Sequence, residues 1–85
     1  MKIIYTSEFQ RSFKRLSREV KSEAIKKEKI FKSDPFDNRL RTHKLSGKLK
    51  DCWAFSISYY ERIIFEFGDN KIVYFLSIGG HDIYK

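Results

Sequence analysis

Cysteine occurs once in the 85 residues, as Cys52, and proline once, as Pro35. A lone cysteine excludes an internal disulfide and fits a reducing compartment, where it is more often a half-buried apolar residue than a nucleophile. No apolar run approaches the length of a bilayer crossing, and Met1-Lys2-Ile3-Ile4-Tyr5 is too short for a signal-peptide core. A cytoplasmic protein with no membrane partner is therefore expected. Glycine is also sparse. Ser46-Gly47 and Gly79-Gly80 read as turns, because neither forms a glycine-rich loop between a strand and a helix that would cradle a phosphate. Two histidines and Asp82 show no recognised ligand spacing, and no second cysteine is present to complete a zinc shell. Neither a metal nor another cofactor is expected.

What is abundant is positive charge and aromatic area. Eighteen Lys and Arg against eleven Asp and Glu leave a formal charge of +7, which favours approach to a polyanion. Nucleic acid or ribosome is the leading partner class, and an acidic protein is also compatible. Eight Phe, five Tyr and one Trp supply large buried areas per residue, which argues for a folded chain despite its charge. So short a chain cannot divide its buried surface between two cores, so residues 1–85 are read as one domain.

Ile3-Ile4-Tyr5 is a short β-type run, and Ser7-Glu8-Phe9-Gln10 has the spacing of a capping box, so a helix is expected to start at Ser7. Phe9, Phe13, Leu16 and Val20 recur at helical spacing, and Ser17 is placed to cap a second helix that runs to about Ser33. Val20, Ala24, Ile25, Ile30 and Phe31 form its apolar stripe, with Lys21, Lys26, Lys27, Lys29 and Lys32 outside. Asp34-Pro35 ends it, since proline disfavours a helical residue before it. Pro35 to Lys50 reads as a basic loop. Trp53, Phe55, Ile57 and Tyr59 then alternate with Ala54, Ser56, Ser58 and Tyr60, the pattern of a strand with its first set buried. Ile63–Phe67 and Ile72–Ile78 read as two more strands, joined in a hairpin by Gly68-Asp69-Asn70-Lys71. The expected fold is α+β, in the order β-α-α-β-β-β, with the N-terminal strand at an edge. A helical hairpin packs on one face of a small twisted, mainly antiparallel sheet.

The chemistry-bearing residues are His43, in the basic loop, Arg62, inside the strand run, and His81, just beyond it. Histidine, with an unperturbed pKa of about 6.5, both takes and gives a proton near neutrality. Cleavage of RNA by its own 2′-hydroxyl needs a base, an acid for the leaving 5′-oxygen and a cation for the charge building on the phosphorus. His43, Arg62 and His81 would supply all three if the sheet brings them together; otherwise the two histidines are surface residues. Lys44, Lys48 and Lys50, with Arg41, lie near this set and are candidates for phosphate contact, whereas the helical lysines read as a solvated face. Tyr84 either stacks on a base or anchors the C-terminal end against the sheet.

Several segments, taken in order and spacing, resemble the RelE/ParE superfamily of toxins from type II toxin–antitoxin systems, and within it the YafQ- and YoeB-like branch. They are the basic helical hairpin, His43-Lys44-Leu45-Ser46-Gly47 followed by Trp53, Tyr60-Glu61-Arg62-Ile63-Ile64-Phe65, and Ile78-Gly79-Gly80-His81-Asp82-Ile83-Tyr84. The resemblance implies a RelE-like fold and a ribosome-dependent, metal-independent mRNA endoribonuclease that attacks through the 2′-hydroxyl and inhibits translation. It also implies a cognate antitoxin, through which a toxin–antitoxin complex would bind DNA. His43 falls where YafQ-like members carry a catalytic histidine, Arg62 matches the phosphate-stabilising arginine, and His81 matches the C-terminal catalytic histidine. Two departures stand out. Ser56 and Tyr60 occupy the region where YafQ-like enzymes have a further histidine and an aspartate, and Tyr84 follows His81 by three positions where many relatives have an aromatic at four. The alternative is a non-enzymatic or catalytically weak member of the superfamily, acting on gyrase or as an antitoxin-bound co-repressor.

Overall fold

A computed structural model describes residues 1–80 and Ile83. The elements are β1 (Lys2–Tyr5), α1 (Ser7–Lys14), α2 (Arg18–Ser33), β2 (His43–Lys44), β3 (Trp53–Ser56), β4 (Arg62–Phe67) and β5 (Ile72–Gly79), with short 3-10 turns at Asn38–Leu40 and Gly47–Leu49. The strands form one mixed sheet in the order β1-β5-β4-β3-β2. β1 runs parallel to β5, and the other neighbours are antiparallel. This is the expected α+β architecture with one strand added. His43 and Lys44 leave the loop to pair with Ala54 and Trp53 at the sheet's outer edge. A strand of two residues is too short to produce an alternation, so its pattern merges with the loop around it.

The helix boundaries follow from local chemistry. Thr6, one residue before the expected cap, accepts from the Phe9 amide at 3.1 Å, and its hydroxyl also reaches the Phe75 and Leu76 carbonyls. The cap therefore ties the start of α1 to β5 as well as satisfying a free helix donor. Ser17 caps α2 by accepting from the Val20 amide at 3.3 Å. At the other end Asp34 is extended, and its carboxylate accepts from the Phe36 amide at 2.9 Å, so the chain turns at Pro35 as expected. No described helix is long and apolar enough to cross a membrane.

Both helices pack on one face of the sheet. Phe31 of α2 is fully buried and its ring lies 4.8 Å from that of Phe55, 4.9 Å from Phe65 and 5.4 Å from Phe75. Phe9 of α1 approaches Phe75 at 5.5 Å. Phe55, Ile63, Phe65, Phe75 and Ile78 thus make the sheet's half of the core, and Ala24, Phe31 and Leu40 close over it. Ile25 departs from the stripe expected for α2, with half of its surface exposed. It lies one residue past Ala24, about 100° round the helix, which carries it to the margin of the buried face.

The strand that starts at Trp53 is shorter than its alternation implies. β3 stops at Ser56, and Tyr59, which the pattern assigns to the buried set, is 98% exposed. The Ile57 amide bonds back to the Glu61 carbonyl at 3.1 Å, closing a tight turn that takes Tyr59 out of register. Between β4 and β5 the hairpin forms as expected, with left-handed backbone at Asn70 and Lys71. A register shift at Ile64/Phe65 leaves Leu76 as the extra residue of a bulge.

Truncating Phe31 to alanine removes the ring that three sheet aromatics share. Phe31→Ala should cost about 3–5 kcal/mol of stability, read as a lower urea midpoint with an unchanged slope.

Candidate active-site groove

Residues directly paired across antiparallel strands share a face, and alternate residues along a strand share it too. With Phe55 and Ile63 turned to the helices, the opposite face carries His43, Ala54, Ile64 and Ser77 in one row and Ser56, Arg62 and Gly79 in the next. His43 and Arg62 are therefore two strands and two residues apart on the same face, a Cα separation of about 12 Å from strand spacing and rise. A phosphodiester fits between side chains of that reach.

His43 is exposed at the edge, and its Nδ1 lies 3.1 Å from the Arg41 carbonyl. A carbonyl only accepts, so in the neutral ring Nδ1 carries the proton and Nε2 keeps the lone pair. Nε2 is thereby the basic atom. Arg41, which positions that carbonyl, has left-handed backbone at φ 52° and closes the 3-10 turn after Leu40. The loop is anchored beyond it by the Thr42 hydroxyl, which donates to the Pro35 carbonyl.

Arg62 begins β4 and is half-buried. Its Nη1 donates to the carbonyls of Ser58, Tyr59 and Glu61 at 3.2–3.3 Å. All three contacts run through one nitrogen, so the edge made by Nε and Nη2, which grips an oxyanion in two places, is not used by them. Ser58 completes the turn. Its hydroxyl donates to the Glu61 carboxylate and accepts from the Glu61 amide at 3.1 Å.

A groove of about 520 Å³ opens at Arg62, lined by Lys27, Arg39, Arg41, Arg62 and the 56–60 segment, with His43 outside its lining. Of the cations, Arg39 is gripped in two places by Asp37, with Nε–Oδ1 at 3.0 Å and Nη2–Oδ2 at 2.9 Å. Lys27 sits 3.5 Å from Glu23 and donates to the Ile57 carbonyl at 3.3 Å. Arg41 and Arg62 are the lining cations that form no ion pair with a described residue.

Of the other residues singled out in the sequence, Lys44 turns to the helix side, its Nζ 6.0 Å above the Trp53 ring. Lys48 and Lys50 are exposed on the 3-10 turn at Gly47–Leu49 and just after it, outside the groove lining. Cys52 is buried, and burial, then the Glu66 and Asp51 carboxylates, push its thiol up and away from the reactive thiolate. His81 and Tyr84 lie outside the described residues. The chain that leads to them does reach the groove, because Gly79 pairs with Arg62 and Gly80 abuts the Tyr60 ring. A Cβ on Gly80 would come within 2.0 Å of that ring, which would have to swing aside to admit it. Sequence reasoning missed Lys27, Arg39 and Tyr59 as groove residues. For Tyr59 a signal was present: Ser58 and Glu61, three apart, are the pair that closes the turn, and they interrupt the strand pattern.

An α+β sheet of this order, with two helices on one face, is the fold of RelE-like toxins, and comparison with solved structures bears this out. YafQ from Escherichia coli strain BL21(DE3) matches with a TM-score of 0.80 at 16% identity, over 96% of this chain and 94% of that one. A YoeB/ParE toxin from Agrobacterium tumefaciens matches with a TM-score of 0.79 at 16% identity, over 95% and 99%. The toxin–antitoxin complex RelBE2 from Mycobacterium tuberculosis contains a chain that matches at 0.70 and 14%, over 94% and 96%. At these identities the likeness is one of fold. No protein-family model and no curated protein matches the chain in sequence.

The groove's rim also has a pH signature. Side-chain and then backbone hydrogen bonds from Arg39 hold the Asp37 carboxyl down at about 2, against an ordinary 3.8. A folded value below the unfolded one means that the pair is intact above the ordinary range and is lost as pH falls through the folded value. In an NMR titration the Asp37 carboxyl and the Arg39 Nε resonances should stay put from about pH 7 to about pH 4 and move together near pH 2.

Proposed function

We propose that this chain is the toxin of a type II toxin–antitoxin system and acts as a ribosome-dependent mRNA endoribonuclease. The observation that carries the reading is the pair formed by His43 and Arg62, on adjacent rows of the sheet face opposite the helices and beside a cationic groove. The likeness in fold to YafQ and to a YoeB/ParE toxin supports it. The domain is taken as residues 1–85, working in the cytoplasm.

His43 Nε2 takes the proton of the 2′-hydroxyl, which attacks the adjacent phosphorus. Arg62 offers its Nε/Nη2 edge to the non-bridging oxygens as charge builds there. His81 protonates the departing 5′-oxygen, so the P–O5′ bond breaks and a 2′,3′-cyclic phosphate is left. Arg41, with Lys48 and Lys50 beyond the groove, contacts the RNA backbone, Lys44 being turned to the helix side, and Tyr84 assists beside His81. No step calls on a metal. The partner is an antitoxin, as in the RelBE2 complex, and it carries the assembly to DNA.

Primer extension on translated mRNA after induced expression should show cuts that depend on the ribosome. His43→Ala, His81→Ala and Arg62→Ala should each lower the rate by about 10²–10⁴-fold. Undiminished cleavage in His81→Ala would remove the acid assignment. Intact mRNA with DNA damage and filamentation would instead identify a gyrase-directed toxin.

A further inference from the structure

Tyr59 is the most exposed large apolar side chain in the described structure, at 98%, and it stands at the rim of the cationic groove. The exposure is built in. The turn that displays Tyr59 is held by Ile57 bonded to Glu61, by Ser58 bonded twice to Glu61, and by the Arg62 guanidinium, which donates to the carbonyls of Ser58, Tyr59 and Glu61. Arg62 thus fixes the backbone of the very residue whose ring is left in water. An aromatic ring pays for such exposure unless something covers it.

The neighbours state what kind of ligand would do so. Arg41 and Arg62 line the same groove without a carboxylate partner among the described residues, no acidic residue is among its described lining, and about 520 Å³ is room for a nucleotide. A flat ring beside unpaired cations is the pairing that single-stranded nucleic acid uses, with bases stacked on aromatics and phosphates on arginines. We infer that Tyr59 is a stacking platform for an RNA base next to the scissile phosphate, with Arg41 holding the phosphate that follows. This rests on RNA being the substrate, and it adds a binding residue that lies outside the His43, Arg62 and His81 set.

Because Arg62 both grips the turn and faces the phosphate, the base on Tyr59 and the phosphate on Arg62 are held at a fixed spacing. The platform therefore selects unpaired RNA. A base inside a duplex has both faces occupied and cannot lie on the ring.

The test uses the full-length protein and a single-stranded RNA oligonucleotide carrying one 2-aminopurine, titrated at low salt. Wild-type protein should quench the 2-aminopurine on binding. Tyr59→Ala should weaken binding about 5- to 150-fold and abolish the quench, while Tyr59→Phe retains both. Tyr59 is 98% exposed, so the thermal melt of Tyr59→Ala should match wild type and exclude misfolding. Equal affinity and equal quenching in Tyr59→Ala would overturn the inference, as would a wild-type protein that does not quench. The nuclease reading is scored separately. A wild-type protein that quenches but never cuts translated mRNA loses the nuclease and keeps the platform. One that cuts mRNA, and binds RNA equally well with Tyr59→Ala, keeps the nuclease and loses the platform.

Discussion

Phe31 is the ring on which the two layers of this protein meet. It comes from the last turns of α2 and touches aromatic side chains from β3, β4 and β5, three neighbouring strands that sequence separation alone would leave free to slide. Because strand side chains have a period of two, committing Phe55 and Phe65 to that ring assigns alternate residues of β3 and β4 to the opposite face, and in β5 the bulge at Leu76 shifts the alternation by one, so that Phe75 and Ile78 face the helices and Gly79 does not. The arrangement of Ser56, Arg62 and Gly79 in one row is a consequence of where the aromatics went. A slip of one residue in any pairing would bury Arg62 and expose a phenylalanine, so the core sets the register that the candidate chemistry depends on.

Arg62 carries a double load in this arrangement. One nitrogen of its guanidinium holds three carbonyls of the 58–61 turn, and these contacts do not use the Nε/Nη2 edge. The turn and the guanidinium therefore hold each other in place, which fixes the direction in which that edge is presented. Pre-organisation of this kind matters for charge stabilisation, because a dipole or cation already in position costs no reorganisation as charge develops. His43 has a comparable support in the Arg41 carbonyl, which holds one ring nitrogen and leaves the lone pair of the neutral ring on the other.

Much of this architecture was legible in the residues. The end of α2 at Asp34-Pro35, the cap at Ser17, the β4–β5 hairpin and the edge position of the first strand all rest on local signals that tertiary contacts reinforce. The misses have physical reasons. Thr6 displaced Ser7 as the cap because its hydroxyl could also reach β5, a contact made across some seventy residues that no local pattern contains. Tyr59 continued an alternation that the backbone had already abandoned, since a hydrogen-bonded turn of four residues outweighs the burial of one ring. His43 and Arg62 were legible as chemistry, but their shared face became visible only with the two-residue strand β2, which has too little sequence to announce itself.

The position of β1 bears on how the protein comes into being. Its register partners run from Ile72 to Phe75, so the first strand to leave a ribosome waits for the last of the five before it has a neighbour. β5 is also the strand that β4 needs on its inner side, which leaves the sheet in two unjoined parts until most of the chain has been made. Contacts of such sequence separation slow folding, and they defer the joined sheet until β5 has been made. The arrival of β5 is thus a single event that joins β1 to the β2–β3–β4 meander and brings Phe75 to the core.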